Sequence, residues 1–204
     1  RDAWMLLSSR GARPPMAAAL LGEACRLAGD HAAAVAHFDA ALSARSEAAR
    51  ISGDKRAAAL QGLAYSLVKI GEVGRAESAV VEAMVGLENG NGGLRARILN
   101  TLAIIRYRQD RATEAIEIWQ EALARAMEAG DDQLILVIAH NLGLPHPVSG
   151  DFRRASECFR ILTTPENPRL GAEECTAYLN LARIATRHGE HARAAALLGD
   201  AREI

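Results

Sequence analysis

Histidine side chains, which often supply metal ligands and general bases, are scattered in this sequence. His188 and His191 flank a Gly-Glu pair, but no third ligand lies near them in the chain, as a zinc site would need. His140 and His146 have no paired serine or cysteine nucleophile. We therefore predict a chain that is not an enzyme and holds no metal or cofactor.

The composition of the chain bears on the kind of partner that it binds and on its cellular compartment. The 204 residues carry a formal net charge of -1, whereas nucleic-acid-binding domains are usually strongly basic. The three cysteines have neither metal nor disulfide spacing, which favours reduced thiols in a cytoplasmic protein. The longest apolar run, residues 134–139, is too short to cross a bilayer. We predict a cytoplasmic protein that binds neither nucleic acid directly nor a membrane.

One spaced pattern occurs five times and predicts the elements that must position any functional residue. A Leu and a small residue are followed by a second small residue twelve positions on and a third seven beyond that. The five copies are Leu21-Gly22/Ala34/Ala41, Leu63-Ala64/Ala76/Ala83, Leu102-Ala103/Ala115/Ala122, Leu142-Gly143/Ala155/Leu162 and Leu181-Ala182/Ala194/Ala201. Self-similarity at a fixed period indicates a repeat architecture.

Each copy also contains a turn dipeptide and a bulky residue at fixed positions. The turns are Gly29-Asp30, Gly71-Glu72, Asp110-Arg111, Gly150-Asp151 and Gly189-Glu190. Glycine ends a helix cheaply, and an acidic residue favours the start of the next helix, so each copy predicts helix, turn, helix. The bulky residues, expected to fill the space between helices, are Phe38, Val80, Trp119, Phe159 and Leu198.

This pattern resembles the tetratricopeptide repeat family from about Pro15 to the end of the chain. The first unit matches best, with Leu21-Gly22, Gly29-Asp30, Ala34, Phe38 and Ala41 in register. The second small residues are 42, 39, 40 and 39 positions apart, longer than the standard repeat of about 34 residues. The long form is similar to repeats of kinesin light chain and of large bacterial LuxR-type and SARP-type transcription activators. The resemblance implies an all-α, right-handed superhelical solenoid of about five stacked antiparallel helix pairs.

We predict a single solenoid domain over residues 1–204 that is a fragment of a longer protein. The expected units are residues 15–50, 54–90, 93–130, 132–166 and 168–204, with residues 1–10 as the remnant of a preceding helix. Pro145 and Pro147 interrupt the fourth unit, since a proline inside a helix removes a hydrogen bond and clashes with the preceding turn. They indicate either a tolerated local break or a bend that shapes a binding surface.

The resemblance also implies where a partner binds, because the first helix of each tetratricopeptide pair lines a concave groove. The positions carried over are Glu23 and Arg26; Gln61, Tyr65 and Lys69; Arg97, Asn100, Ile104 and Arg108; His140, Asn141 and Leu144; Asn180, Arg183 and Arg187. Asn hydrogen-bonds a peptide backbone and Arg grips carboxylates, so this set suits an acidic or extended peptide.

The leading hypothesis is therefore a non-catalytic module that binds a peptide or protein segment in its concave groove, as part of a bacterial regulatory protein. The alternative is a ligand-sensing or oligomerisation region of a bacterial transcription activator, in which the chain associates with itself.

Overall fold

A computed structural model describes residues 15–43, 51, 53–87, 91–143 and 171–203. These residues contain nine helices and no strand. The helices are α1 (Pro15–Leu27), α2 (His31–Leu42), α3 (Gly53–Ile70), α4 (Val73–Gly86), α5 (Gly92–Arg108), α6 (Ala112–Ala129), α7 (Asp132–Gly143), α8 (Gly171–Arg187) and α9 (His191–Glu203). The predicted all-α fold is confirmed, whereas the remnant helix at 1–10 and the two prolines of the fourth unit lie outside the described residues.

The turns inside the helix pairs share one geometry. In each turn one residue has a positive φ, and the backbone N–H of the next residue donates a hydrogen bond to the carbonyl five positions back. Asp30 donates in this way to Cys25 at 2.9 Å, and Glu190 donates to Ala185 at 2.9 Å. This bond satisfies a carbonyl that the helix end would leave without a partner. Four of the five predicted turns are confirmed, and Gly150-Asp151 lies outside the described residues.

The third unit has an aspartate where the other described turns have glycine. Asp110 has a φ of 60°, in the left-handed region that disfavours residues with a Cβ. We expect Asp110→Gly to raise the free energy of unfolding by about 0.5 kcal/mol. Glycine relieves roughly 1–2 kcal/mol of backbone strain in the folded state, but the greater conformational entropy of glycine in the unfolded chain costs roughly 0.5–1 kcal/mol. Urea titration followed by circular dichroism measures this change.

The matched control for that substitution is Gly71→Ala, at a φ of 90°, which introduces the same strain and should destabilise the chain by about 1 kcal/mol. A loss of stability in Asp110→Gly would contradict this account of the turns.

The two helices of each pair pack against each other through the small residues of the repeated pattern. The second small residues of the described second helices, Ala34, Ala76, Ala115 and Ala194, are buried, as are the bulky residues Phe38, Val80 and Trp119. The prediction for Leu198 is wrong: it is 50% exposed, because it lies on α9, the last helix described, with no described helix stacked beyond it. Phe159 lies outside the described residues.

The pairs stack so that the first helices form one side of the described structure. Neighbouring first helices pack against each other from α1 through α3 and α5 to α7, and α7 packs against α8. Each of α2, α4 and α6 packs against the first helix of the next pair as well as its own partner, but successive second helices touch each other at most weakly. The first helices are therefore closer to one another than the second helices are. This difference curves the stack and places the first helices on its inner face.

Candidate functional site

The inner face contains an open cavity of about 270 Å³ between α1, α3 and α5. Its apolar lining comes chiefly from Met16, Ala19 and Leu20 on α1, Ala58 on α3 and Leu94 on α5. Leu20 is 65% exposed. It directly precedes Leu21, the leucine of the repeated pattern, but is not itself part of that pattern. The cavity therefore leaves apolar surface open to solvent where three first helices meet.

Charged and polar side chains border this cavity. Glu23, Lys55, Gln61 and Arg97 all contribute to its lining. The Arg26 guanidinium donates two hydrogen bonds, of 2.7 and 2.6 Å, to the Glu23 carboxylate. These bonds, helped by the positive charges of Arg26 and Arg97, lower the pKa of Glu23 despite partial burial, so its carboxylate is ionised at neutral pH.

The cavity continues toward the N-terminal ends of α3 and α5. A neighbouring cavity of about 340 Å³ shares Lys55, Ala58, Leu94 and Arg97 with the first. Asn91 caps α5 by accepting a hydrogen bond from the Leu94 N–H at 3.1 Å. Arg97 forms an ion pair of 2.9 Å with Asp131. The two cavities together form one continuous groove with an apolar floor and a charged edge.

Tyr65 is the centre of a second cluster, nearer the C-terminal ends of α1 and α3. The Arg26 guanidinium lies 5.5 Å and the Lys69 ammonium 5.2 Å from the centre of its ring. The ring of His31 meets Tyr65 edge-on, with 5.9 Å between centroids. Cation–π attraction of this kind holds α1 against α3 and keeps two cations beside an aromatic ring.

Polar side chains also link the later first helices. Gln61 on α3 donates to the Thr101 hydroxyl at 3.1 Å. Asn141 on α7 donates to the Asn100 Oδ1 at 2.9 Å, and the same oxygen accepts from the Trp119 Nε1 at 2.9 Å. Side-chain contacts thus link each pair of neighbouring first helices from α1 to α7: a cation–π contact between α1 and α3, and a hydrogen bond in each of the next two pairs.

The structure separates the predicted binding residues into buried and exposed groups. Asn100 is 6% and Asn180 is 8% exposed, so both lie within the helix packing. Arg97 and Arg108 are exposed but lie eleven positions apart on α5, about 16 Å along its axis. Arg97, Asn100 and Arg108 therefore do not form one compact cluster, and a binding role for each stays a prediction.

The remaining predicted residues have intermediate or high exposure. His140 and Asn141 are partly buried on α7, and Arg183 and Arg187 are exposed on α8. Leu144 lies outside the described residues. Sequence reasoning did not identify the apolar lining. The signal that could have found it was Leu20, a large apolar residue directly before the Leu21-Gly22 pair of the repeat.

A crevice of about 450 Å³ lies on the other side of the stack, between α2, α3 and α4. Three of its four lining leucines, Leu60, Leu63 and Leu67, are almost fully buried, and Leu42 is partly exposed. Two ion pairs, Arg75 with Asp39 and Arg56 with Glu82, line it. It offers a partner less open apolar surface than the inner groove does.

The described residues contain neither a cluster of metal-ligating side chains nor a helix that could span a membrane. No three histidine, cysteine, aspartate or glutamate side chains in this part of the chain come together as a metal site would require. None of its helices combines the length and the apolar character needed to span a bilayer.

Residues 94–160 match the family model described as tetratricopeptide repeat. No curated protein matches the chain by sequence. Among solved structures, BtubC (BKLC) from P. vanneervenii is similar with a TM-score of 0.74 and 21% identity, covering 99% of this chain and 85% of that one.

Two further structures with the same fold have printed descriptions that bear on function. The TPR-like repeats of a putative kinesin light chain from Podosopora anserina give a TM-score of 0.70 at 17% identity, covering 93% of this chain and 94% of that one. The Rap conjugation gene regulator of the plasmid pLS20, solved in complex with the Phr* peptide, gives 0.71 at 19% identity, covering 92% and 52%. The likeness to kinesin light chain repeats is confirmed for the fold, and the likeness to LuxR-type and SARP-type activators stays a prediction.

Proposed function

We propose, starting from the tetratricopeptide-repeat fold of this chain, that it is a non-catalytic interaction module that binds a peptide or protein segment along its inner groove. The observation that carries the proposal is the open apolar cavity between α1, α3 and α5, with Leu20 65% exposed. Contiguous apolar surface left open on a protein, bordered by polar groups, is typical of a binding site.

The open shape of the groove favours a peptide. The cavity of about 270 Å³ suits one or two side chains of a longer ligand, and the adjoining cavity of about 340 Å³ leaves room for its neighbouring residues. The Rap regulator, which has the same fold, was solved with a peptide. In this proposal, the chain belongs to a bacterial regulatory protein of the cytoplasm and recognises a segment of another protein.

Exposed apolar residues on a second helix support one alternative. Val81 and Val85 lie on α4 and are largely exposed. A second copy of the chain could cover them, which would suit an oligomerisation or sensing region of a bacterial transcription activator.

A matched pair of substitutions tests the groove. Peptides would be selected from a random library displayed on phage and their affinities measured by isothermal titration calorimetry. We expect Leu20→Glu to weaken binding about tenfold or more, because a carboxylate would be buried against the apolar part of the ligand. Val81→Glu makes the same change at a residue 55% exposed on α4 and should leave the affinity within about twofold.

The opposite pattern would contradict the proposal. Peptides that lose affinity in Val81→Glu but keep it in Leu20→Glu would bind α4, the surface that the oligomerisation alternative assigns to a second copy of the chain. Circular dichroism on both variants shows that each remains folded.

A further inference from the structure

The outer face of α4 carries an apolar row that the described part of the chain leaves exposed. Val81 and Val85 are 55% and 83% exposed, and Gly74 and Ser78 are exposed on the same side. A helix turns about 100° per residue, so these four residues lie within about 60° of one another around the helix axis. The opposite side of α4 holds its buried residues, Ala76, Ala79, Val80 and Ala83. We call Gly74, Ser78, Val81 and Val85 the outer row of α4.

The outer row of α4 carries no charge. The Ser78 hydroxyl donates to the Gly74 carbonyl at 3.3 Å, so its hydrogen bond is made within the helix. When the units are aligned on their second small residue, the equivalent rows of the other described second helices each contain an acidic residue: Asp39 on α2, Glu117 on α6 and Glu203 on α9. Because α4 lacks such a residue, a partner can cover its outer row without burying a charged group.

The outer row of α4 is complementary to itself when two copies run antiparallel. A two-fold axis at the middle of the row places Gly74 opposite the partner's Val85, and Ser78 opposite the partner's Val81. Each valine then fills the space beside a small residue, which lets the two helices approach closely. In a parallel pair, valine would meet valine at one end and glycine would meet glycine at the other, which leaves a gap.

Charged side chains beside the outer row favour the same direction. Arg75 and Glu82 are about half exposed, and both line the crevice on one flank of the row. In the antiparallel pair, Arg75 lies within about 3 Å along the axis of the partner's Glu82, whereas a parallel pair would bring like charges together. Arg75 already pairs with Asp39, and Glu82 with Arg56, so the contacts between copies select the direction more than they add affinity.

We propose that the chain forms a two-fold symmetric dimer in which α4 packs antiparallel on α4 of a second copy. This dimer goes beyond peptide binding, because the inner groove is formed by first helices and stays open in both copies. It gives the second-copy alternative a specific geometry. The 14 residues of α4 span about 21 Å, so the contact is smaller than a standard interface of about 1,200–2,000 Å². We expect a weak dimer, with a Kd of about 10–100 µM.

Sedimentation equilibrium of the full 204-residue chain, at concentrations below and above the expected Kd, tests for this dimer. Val81→Glu should weaken dimerisation about a hundredfold, because the two-fold axis places the new carboxylate in the interface twice. Gln120→Glu adds the same charge at the equivalent exposed position of α6 and should change the Kd less than about twofold. Circular dichroism shows that both variants remain folded.

Cysteine cross-linking tests the direction of the two helices. The three native cysteines are replaced by alanine, and Gly74→Cys and Val85→Cys are then made in separate chains. Oxidation of a mixture of the two variants should give a cross-linked heterodimer. Either variant alone should stay largely unlinked, because the antiparallel pair holds two copies of one position about 16 Å apart along the axis, beyond the reach of a disulfide.

The possible results separate this inference from the proposed function. A chain that stays monomeric above the expected Kd, or a dimer that survives Val81→Glu, would overturn the inference. Cross-links within each single variant but none between the two variants would show a parallel pair and would also overturn it. Selected peptides that depend on Leu20 would support the proposed function even for a monomeric chain. Peptides that are insensitive to Leu20→Glu would overturn the proposed function and leave the dimer standing.

Discussion

Trp119→Ala is expected to lower the free energy of unfolding by about 3–5 kcal/mol, the usual range for removing a buried aromatic side chain. Trp119 is 1% exposed and packs with its ring centre 5.9 Å from that of Tyr107. Its Nε1 donates a hydrogen bond to Asn100. The substitution opens a cavity between α5 and α6 and removes a partner of the polar cross-link to α7. Urea unfolding followed by circular dichroism measures the loss.

Trp119→Phe separates packing from hydrogen bonding. The phenyl ring retains much of the buried apolar surface but cannot donate to the Asn100 Oδ1, so we expect a smaller loss, of about 1–3 kcal/mol. A loss below about 1 kcal/mol for Trp119→Ala would contradict the role of this residue in closing the third pair.

Gly62→Ala is expected to lower the free energy of unfolding by about 1–3 kcal/mol, the range typical of overpacking in a core. A Cβ at position 62 would lie 2.5 Å from the Cζ of Phe38, well inside contact distance. Phe38 is buried, and its ring also lies 2.9 Å from the Cβ position of Gly22, so it has little room to move. Small residues at both positions let α1 and α3 enclose the Phe38 ring.

Two further variants test that explanation by the same denaturation measurement. Gly74→Ala on α4 meets no atom within 4 Å and should stabilise the chain by about 0.5–1 kcal/mol, since alanine favours a helix. Phe38→Leu in the Gly62→Ala background should recover part of the lost stability, because the shorter side chain makes room for the new methyl group. If Gly62→Ala proved as harmless as Gly74→Ala, the close packing of Phe38 would be contradicted.

The fold could be predicted from the sequence because its constraints are local and repeated. Each turn needs a residue that tolerates a positive φ, and the third unit meets the need with Asp110 instead of glycine. Small residues recur wherever two helices approach closely. The prediction failed at Leu198, because burial at that position depends on a further stacked helix and not on the pattern inside the unit.

The site was harder to predict because neighbouring helix positions face different ways. Asn100 and Arg97 are one turn apart on α5, yet Asn100 is buried beneath Trp119 and Asn141 whereas Arg97 borders the cavity. Three positions turn a helix by about 300°, so the two side chains differ in direction by only about 60°, which is enough to put one in the helix packing and the other at the edge of the groove. The cavity itself depends on three helices meeting, which no single repeat reveals.

A crystal structure of the chain with a library-selected peptide tests the groove most directly. The account predicts peptide density along α1, α3 and α5, with an apolar side chain within about 4 Å of Leu20 and Leu94, the usual contact distance. Peptide density confined to α2, α4 or α6 would contradict it.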